Sequence, residues 1–251
     1  MDKYYFTSES VTEGHPDKLC DYIADKILDE CLRQDKDSRV AVEVMASENL
    51  IVIAGEITSN ANINIEAITR DTIKEVGYDN RNLDIDYRTC EIKINISKQS
   101  SDIALGVDTG GAGDQGIMFG FACDETENYM PYAIEMAHRL AKRLTEVRKN
   151  KEIDYLRPDG KTQVTVEYEN NVPKRIETIL ISVQHLEEIS LEQLRKDIID
   201  KVINTVIPKE KMDKDTKIYI NPTGRFVIGG PLGDTGVTRK KNHSWYLWRL
   251  C

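Results

Sequence analysis

Glu13-Gly-His-Pro-Asp-Lys18 sets an imidazole, a carboxylate and an ammonium at the mouth of a helix. A helix N-terminus favours negative charge, through its free N–H groups and its dipole. His15 and Lys18 add donors there, and Asp17 is a candidate metal ligand. Standing alone, the same residues are also an ordinary acidic first turn beside an exposed His and Lys. A second segment, Asn221-Pro-Thr-Gly-Arg-Phe-Val-Ile-Gly-Gly-Pro-Leu-Gly-Asp234, packs four glycines and two prolines into fourteen residues. Such a loop exposes backbone N–H groups to a ligand, often a polyphosphate. Phe226 within it offers a face for a base. Its plain alternative is a proline-glycine turn cluster. A third segment contains Gly111-x-Gly113-x-x-Gly116, the spacing of a dinucleotide fingerprint. That fingerprint must follow a buried strand and open a helix. Here it follows polar Ser100-Ser-Asp102 and precedes Ile117-Met-Phe-Gly-Phe-Ala122, which reads as a strand. The dinucleotide reading is therefore rejected. The segment stands as a glycine loop in which Asp114 is a candidate ligand.

Other chemistries find less support. There is no Gly-x-x-x-x-Gly-Lys-Ser/Thr, hence no Walker A loop. Four histidines without a His-x-x-x-His pair argue against a transition-metal site. His138 reads as a solvated residue among helical charges, and His185, at a strand end, has no assigned role. Composition is that of a globular protein, with 40% apolar and 31% charged residues over 251 positions. A net charge of −9 argues against a general nucleic-acid or anionic-membrane binder. It leaves room for a small anionic substrate in a local basic pocket. The five cysteines are scattered, with no C-x-x-C, as expected of a reducing, cytoplasmic protein. The first residues lack a signal-peptide apolar core, and the longest apolar run, Leu50 to Ala54, is too short to span a bilayer.

The elements that must carry these segments follow from periodicity. Pro16 to Leu32 is a helix, with Leu19, Ile23, Ile27 and Cys31 on one face. Val40 to Ala46 and Leu50 to Thr58 are strands joined by a turn. Asn64 to Val76 is a helix ended by Gly77, and Cys90 to Ile96 alternates as a half-buried strand. The order then returns. Pro131 to Lys149 is a helix, Gln163 to Tyr168 and Arg175 to Val183 a hairpin, Leu191 to Val206 a helix and Lys217 to Ile220 a strand. Helix, hairpin, helix, strand thus occurs twice, about 120 residues apart. The reading is an α+β fold of duplicated sheets, each with helices on one face. The join is the glycine-rich stretch Gly106 to Gly120.

Taken together, the segments resemble S-adenosylmethionine synthetase (methionine adenosyltransferase). The resemblance runs through Phe6 to Lys18, Gly55-Glu-Ile-Thr58, Lys98-Gln-Ser100, Gly111 to Gly116, Leu156-Arg-Pro-Asp-Gly-Lys161 and Asn221 to Asp234. It covers residues 4 to 238. It implies a transferase of one-carbon metabolism that joins the adenosyl group of ATP to the sulfur of L-methionine. The released tripolyphosphate is then hydrolysed to phosphate and diphosphate. The residue types agree with that chemistry. A thioether needs no general base, so the catalyst must align sulfur with the ribose 5′ carbon and stabilise a highly charged leaving group.

The resemblance implies the following roles. His15 contacts the tripolyphosphate near the bond that breaks. Asp17 binds Mg²⁺, of which two are expected per site, and Glu43 helps hold K⁺. Glu56 and Gln99 hold the amino-acid part of methionine, and Asp114 orients methionine and the ribose region. Asp159 and Lys161 serve the ATP side, with Lys161 on the phosphates. Phe226 stacks on adenine, and Asp234 contacts substrate. His15, Lys161 and Asp234 are the catalytic candidates. The family has three such repeats about a pseudo-threefold axis. It acts as a homodimer or dimer of dimers with shared active sites. The expected division is an N-terminal repeat at 1–101, a gating loop at 102–116, a central repeat at 117–232 and the start of a third repeat at 233–251.

Two departures from the family pattern bear on function. The loop between Gln99 and Gly111 is shorter than in many members. The family continues beyond the Gly-Asp loop with Thr-Gly-Arg-Lys-Ile-Ile-Val-Asp-Thr-Tyr-Gly-Gly, a lysine-bearing glycine segment and the third repeat. Residues 239–251, which hold both tryptophans, follow no such pattern. Back-translated and shifted by one base near Thr238, they read Thr-Gly-Arg-Lys-Ile-Ile-Val-Gly-Ile-Phe-Gly-Gly-Tyr-Ala. The expectation is an out-of-frame tail on a truncated chain that is weak or inactive. The alternative is a non-catalytic subunit that dimerises with and modulates a full-length copy.

Overall fold

In the computed structural model, which describes residues 3–80, 82–98 and 116–239, the apolar periodicities become helices with identifiable caps. α1 spans Pro16–Gln34. His15 is its N-cap, with Nδ1 accepting from Asp17 N at 3.2 Å. Pro16 takes a first-turn position that needs no N–H. Leu19, Ile23, Ile27 and Cys31 are fully buried, as their spacing requires. α2 spans Ile65–Val76, begun by Asn64, which accepts from Ala67 N, and ended by Gly77 in the left-handed region. α3 spans Tyr132–Lys149 and buries Met136, Leu140, Leu144 and Val147. α4 spans Leu191–Ile198 behind the Ser190 cap. It runs through a π turn, Ile199–Ile203, into a last turn at Asn204–Val206, so one continuous rod occupies the expected span.

The strands form two four-stranded sheets. One holds β2 (Arg39–Ser47), β3 (Leu50–Thr58), β4 (Glu91–Ser97) and β8 (Gly236–Val237), in the order β4-β3-β2-β8. The other holds β1 (Lys3–Val11), β5 (Leu156–Glu169), β6 (Val172–His185) and β7 (Lys217–Ile220), in the order β1-β5-β6-β7. Each sheet is an antiparallel hairpin extended by a parallel strand that returns after a helix. Each is closed on its other side by an antiparallel strand. The duplicated α+β pattern is therefore real at the level of topology. Val42, Val44, Ile51 and Ile53 pack beneath α1 and α2 in one core. Val164, Val166, Ile179 and Ile181 pack beneath α3 and α4 in the other.

The closing strands cross over between the two halves. β1, from the start of the chain, pairs along β5, from Lys3↔Glu169 to Val11↔Lys161. β8, which follows the glycine-rich loop, pairs with β2 at Met45↔Val237 and Ala46↔Gly236. The β5–β6 hairpin is longer than its alternation suggested. It turns at Asn170-Asn171, both in the left-handed region (φ 51 and 62), as a two-residue hairpin turn requires. Its far end takes in Leu156–Lys161 and Gln184–His185, so the second half of the site stands on strands.

Two expectations need correction. Ile117–Ala122 forms no strand. It pairs with no strand among the described residues, and Ile117, Met118 and Phe119 lie exposed. His138 does more than meet solvent: its Nδ1 lies 2.7 Å from Ser10 Oγ, tying α3 to β1. Gln99, Asp114 and residues 240–251 lie outside the described residues.

Candidate active site

Three distant segments meet where the two halves join. The first is the mouth of α1. Thr12 Oγ1 donates to Pro158 O at 2.7 Å, and Thr12 N to Gly160 O at 2.9 Å. Gly14 lies flat against this backbone, where a Cβ would come within 2.4 Å of the Pro158 carbonyl carbon. The Glu13 carboxylate takes Arg148 Nη2 at 2.5 Å and Lys149 Nζ at 2.9 Å, fixing the segment to α3. His15 and Asp17 are buried, and Lys18 is half-buried. Because His15 Nδ1 accepts from Asp17 N, the neutral ring carries its proton on Nε2. Asp17 Oδ1 accepts from Val237 N at 3.1 Å, and Asp21 Oδ1, one turn later, from Arg239 N at 2.7 Å.

The second segment is the start of β5. Asp159 is buried, and its Oδ2 accepts from Gly230 N at 2.9 Å. Its Oδ1 is buried with no hydrogen-bond partner among the described residues. Burial pushes the Asp159 carboxyl up to about 6. The Gly230 N–H and the nearby Lys161 charge pull it down, and Asp234 pushes it further up. Arg157, two residues earlier, grips Asp84 Oδ2 at 2.6 Å and Asp79 Oδ1 at 3.0 Å across the junction. Asp84 is buried too. Burial holds its carboxyl up at about 6, against the pull of Arg157.

The third segment is the glycine-rich loop, pinned at both ends. Asn221 clasps β6, with Oδ1 accepting from Val183 N at 2.8 Å and Nδ2 donating to Val183 O at 3.0 Å. Gly230 sits at φ 59 with no room for a side chain: a Cβ would stand 2.5 Å from the Tyr78 hydroxyl. Tyr78 is fully buried and donates to Gly14 O. One ring thus touches the first and third segments. After the loop, Thr238 Oγ1 donates to Glu43, whose Oε1 lies 3.1 Å from Arg239 Nη1.

Of the residues singled out from sequence, His15, Asp17, Asp159 and the Phe226–Gly230 stretch are joined through these contacts. Lys161 and Asp234 are exposed and lie close enough to Asp159 to move its titration. Phe226 is half-buried. Glu43 and Glu56 are exposed on the outer face of the first sheet, where Glu43 is opposite Ala54 and Glu56 opposite Ala41. Glu43 reaches the cluster through Thr238 and Arg239, and among the described residues Glu56 shares no contact with it. Sequence reasoning missed Tyr78, Asp84, Arg157, Gln184 and His185. Arg157 belongs to the Leu156–Lys161 motif but had no role in it. The others sit outside any motif, and only their burial marks them.

Known proteins resemble this chain over most of its length. The family model for the S-adenosylmethionine synthetase N-terminal domain matches residues 3–101, and that for the central domain matches residues 109–226. An S-adenosylmethionine synthase of Clostridium botulinum (strain Alaska E43 / Type E3) is 55% identical over 95% of this chain and 65% of its own length. One from Brachyspira hyodysenteriae (strain ATCC 49526 / WA1) is 52% identical over 95% of this chain and 64% of its own. One from Desulfosudis oleivorans (strain DSM 6200 / JCM 39069 / Hxd3) is 54% identical over 95% and 63% respectively. The chain thus spans a little under two thirds of the curated relatives it resembles. By both domain matches and by these identities, the chain belongs to the S-adenosylmethionine synthetase family.

Proposed function

We propose that this chain serves the synthesis of S-adenosylmethionine from ATP and L-methionine, followed by hydrolysis of tripolyphosphate to phosphate and diphosphate. The observation that carries the reading is the meeting of 12–18, 156–161 and 221–237 around the Asp159–Gly230 contact. In the first step sulfur attacks the ribose 5′ carbon. A C–S bond forms as the C–O bond to the triphosphate breaks, and the electron pair leaves on the phosphate oxygen. The leaving group is the charge that must be met. His15 presents an Nε2 proton from the start of α1, and Lys161 adds a cation on β5. Phe226 supplies an aromatic face for adenine. Asp159, with one oxygen committed to Gly230, would accept from the nucleoside with the other. Asp234 would contact substrate at the loop's end. Gln99 and Glu56 would hold the amino-acid group of methionine, and Asp114 would orient methionine and the ribose region, in an assembly that shares sites between two copies. The residue division 1–101, 102–116, 117–232 and 233–251 belongs to the same reading.

The donor chemistry fits Mg²⁺ at Asp17. Among the described residues no three metal-ligating side chains gather, and one carboxylate is enough for an ion that keeps waters and takes substrate phosphates as ligands. Mg²⁺ bound there supplies charge to the phosphates. The fit is poorer for K⁺. Glu43 is already paired with Arg239, so a monovalent cation would have to displace a guanidinium. The out-of-frame reading of 239–251 gains support at its first residue. Arg239 adopts φ 63, the left-handed region that favours glycine, and glycine follows this threonine in the family pattern. The bases after codon 238 decide that point, and a family frame that fails to reopen there refutes it.

The test is mass-spectrometric detection of S-adenosylmethionine formed by the purified chain with ATP, methionine, Mg²⁺ and K⁺. Slow, methionine-dependent product that disappears in His15→Ala is expected. Folded protein that binds ATP yet makes no product favours the modulating subunit. Folded protein that binds neither substrate refutes both.

A further inference from the structure

Gln184 and His185 end β6 beneath the glycine-rich loop, and the proposed chemistry uses neither. The Gln184 side chain is fully buried. Its Nε2 donates to Leu83 O at 3.1 Å and to Val227 O at 2.9 Å, while its Oε1 accepts from Asp159 N at 3.4 Å. One amide thus spends both donors and its carbonyl on three separate segments. Leu83 O also accepts from Gly229 N at 3.0 Å. The amide leaves no space on its loop side: a Cβ at Gly229 would stand 2.7 Å from Gln184 Cδ. His185 holds the adjoining residue. Its N–H donates to Phe226 O at 3.0 Å, and its Nε2 accepts from Phe226 N at 3.3 Å. Nδ1 lies 2.8 Å from Leu186 O, an acceptor only, so the ring proton is on Nδ1.

We infer that Gln184 is a positioning residue that sets the spacing between the Phe226–Gly230 loop, Asp159 and Leu83, with His185 holding the neighbouring turn. That the loop meets a nucleotide rests on the proposed function; that Gln184 holds the loop does not. A core filler of the same size would not serve, because an apolar side chain takes away the partner of the buried Val227 carbonyl and of the buried Asp159 N–H, and leaves the Leu83 carbonyl with Gly229 N–H alone. The device also explains why the loop carries glycine at 229, where the amide presses against the backbone.

The test compares the full chain with its Gln184→Met and Gly229→Ala variants. The first keeps the volume and removes the polar atoms. The second disturbs the contact from the loop side and leaves β6 intact, so it decides the matter where the first does not fold. Hydrogen exchange is followed in residues 221–234 and in the β2–β3 and β5–β6 hairpins, and the dissociation constant for Mg-ATP is measured by calorimetry. Exchange about tenfold faster or more in the loop alone is expected, with ATP weakened by a similar factor. Loop exchange equal to wild type, or acceleration spread evenly over both hairpins, overturns the inference. Wild type that binds no ATP, with loop exchange still responding, refutes the nucleotide reading and upholds the positioning role.

Discussion

Asp159 is held as a charge where the fold disfavours charge. Its carboxyl is raised from 3.8 to about 6, chiefly by burial, so the folded chain binds its proton more tightly than the unfolded chain does. The resulting penalty is absent below about pH 4, grows as pH rises, and is complete above about pH 6. A shift of that size corresponds to roughly 3 kcal/mol at neutral pH. Asp159→Asn keeps an acceptor for Gly230 N–H and removes the ionisation. Its thermal midpoint is expected to exceed wild type at pH 8 and to approach it at pH 5, with ATP binding weakened. A variant less stable than wild type at pH 8 would show that the Gly230 N–H and the Lys161 charge outweigh the cost of burial. Retaining such a penalty is reasonable for a group needed at a ligand rather than in the core.

At the scale of elements, the site depends on strand and helix ends meeting backbone to backbone. α1 begins against the start of β5 because Gly14 has no side chain to hold them apart. Gly14→Ala places a methyl group into the Pro158 backbone, and overpacking of this kind costs about 1–3 kcal/mol. A lower urea midpoint is expected, together with faster exchange at Thr12 N and at the first turn of α1. Unchanged exchange there would mean that the two segments do not bear on each other. The helices were readable from sequence because 3.6-residue periodicity and end signals such as Pro16 and Gly77 are local, whereas the Asn64 and Ser190 caps showed only in the structure. The extra length of the β5–β6 hairpin was not. Leu156-Arg-Pro-Asp-Gly-Lys161 contains a proline and a glycine, and only pairing with β1 and β6 makes it a strand.

At the scale of the whole molecule, the two halves are bound by exchange of their closing strands and by a few buried polar contacts. Arg157 with Asp84 is the most exacting of these, because neither partner can be removed alone. Asp84→Ala leaves the guanidinium only the more exposed Asp79 carboxylate, and breaking a buried pair costs about 3–5 kcal/mol. Chemical denaturation is expected to show that loss. The double variant Asp84→Leu with Arg157→Met is expected to recover most of it. A double variant as unstable as the single one would show that the geometry of the ion pair, rather than its uncompensated charge, holds the junction.

The types and spacing of His15, Asp17, Asp159 and the 221–234 loop were legible along the chain, as were the duplicated α+β pattern and the family. Each of these is written within a short span, as a period, a cap or a motif. The partners of those residues were not legible. Tyr78 reaches Gly14 and Gly230, Gln184 reaches Leu83 and Val227, and β1 and β8 each cross to the other half's sheet. Such pairings join residues far apart in the chain through one buried hydroxyl, one buried amide or one ladder. No local pattern encodes them, because what selects them is the cost of leaving a polar group unsatisfied once the two halves have closed.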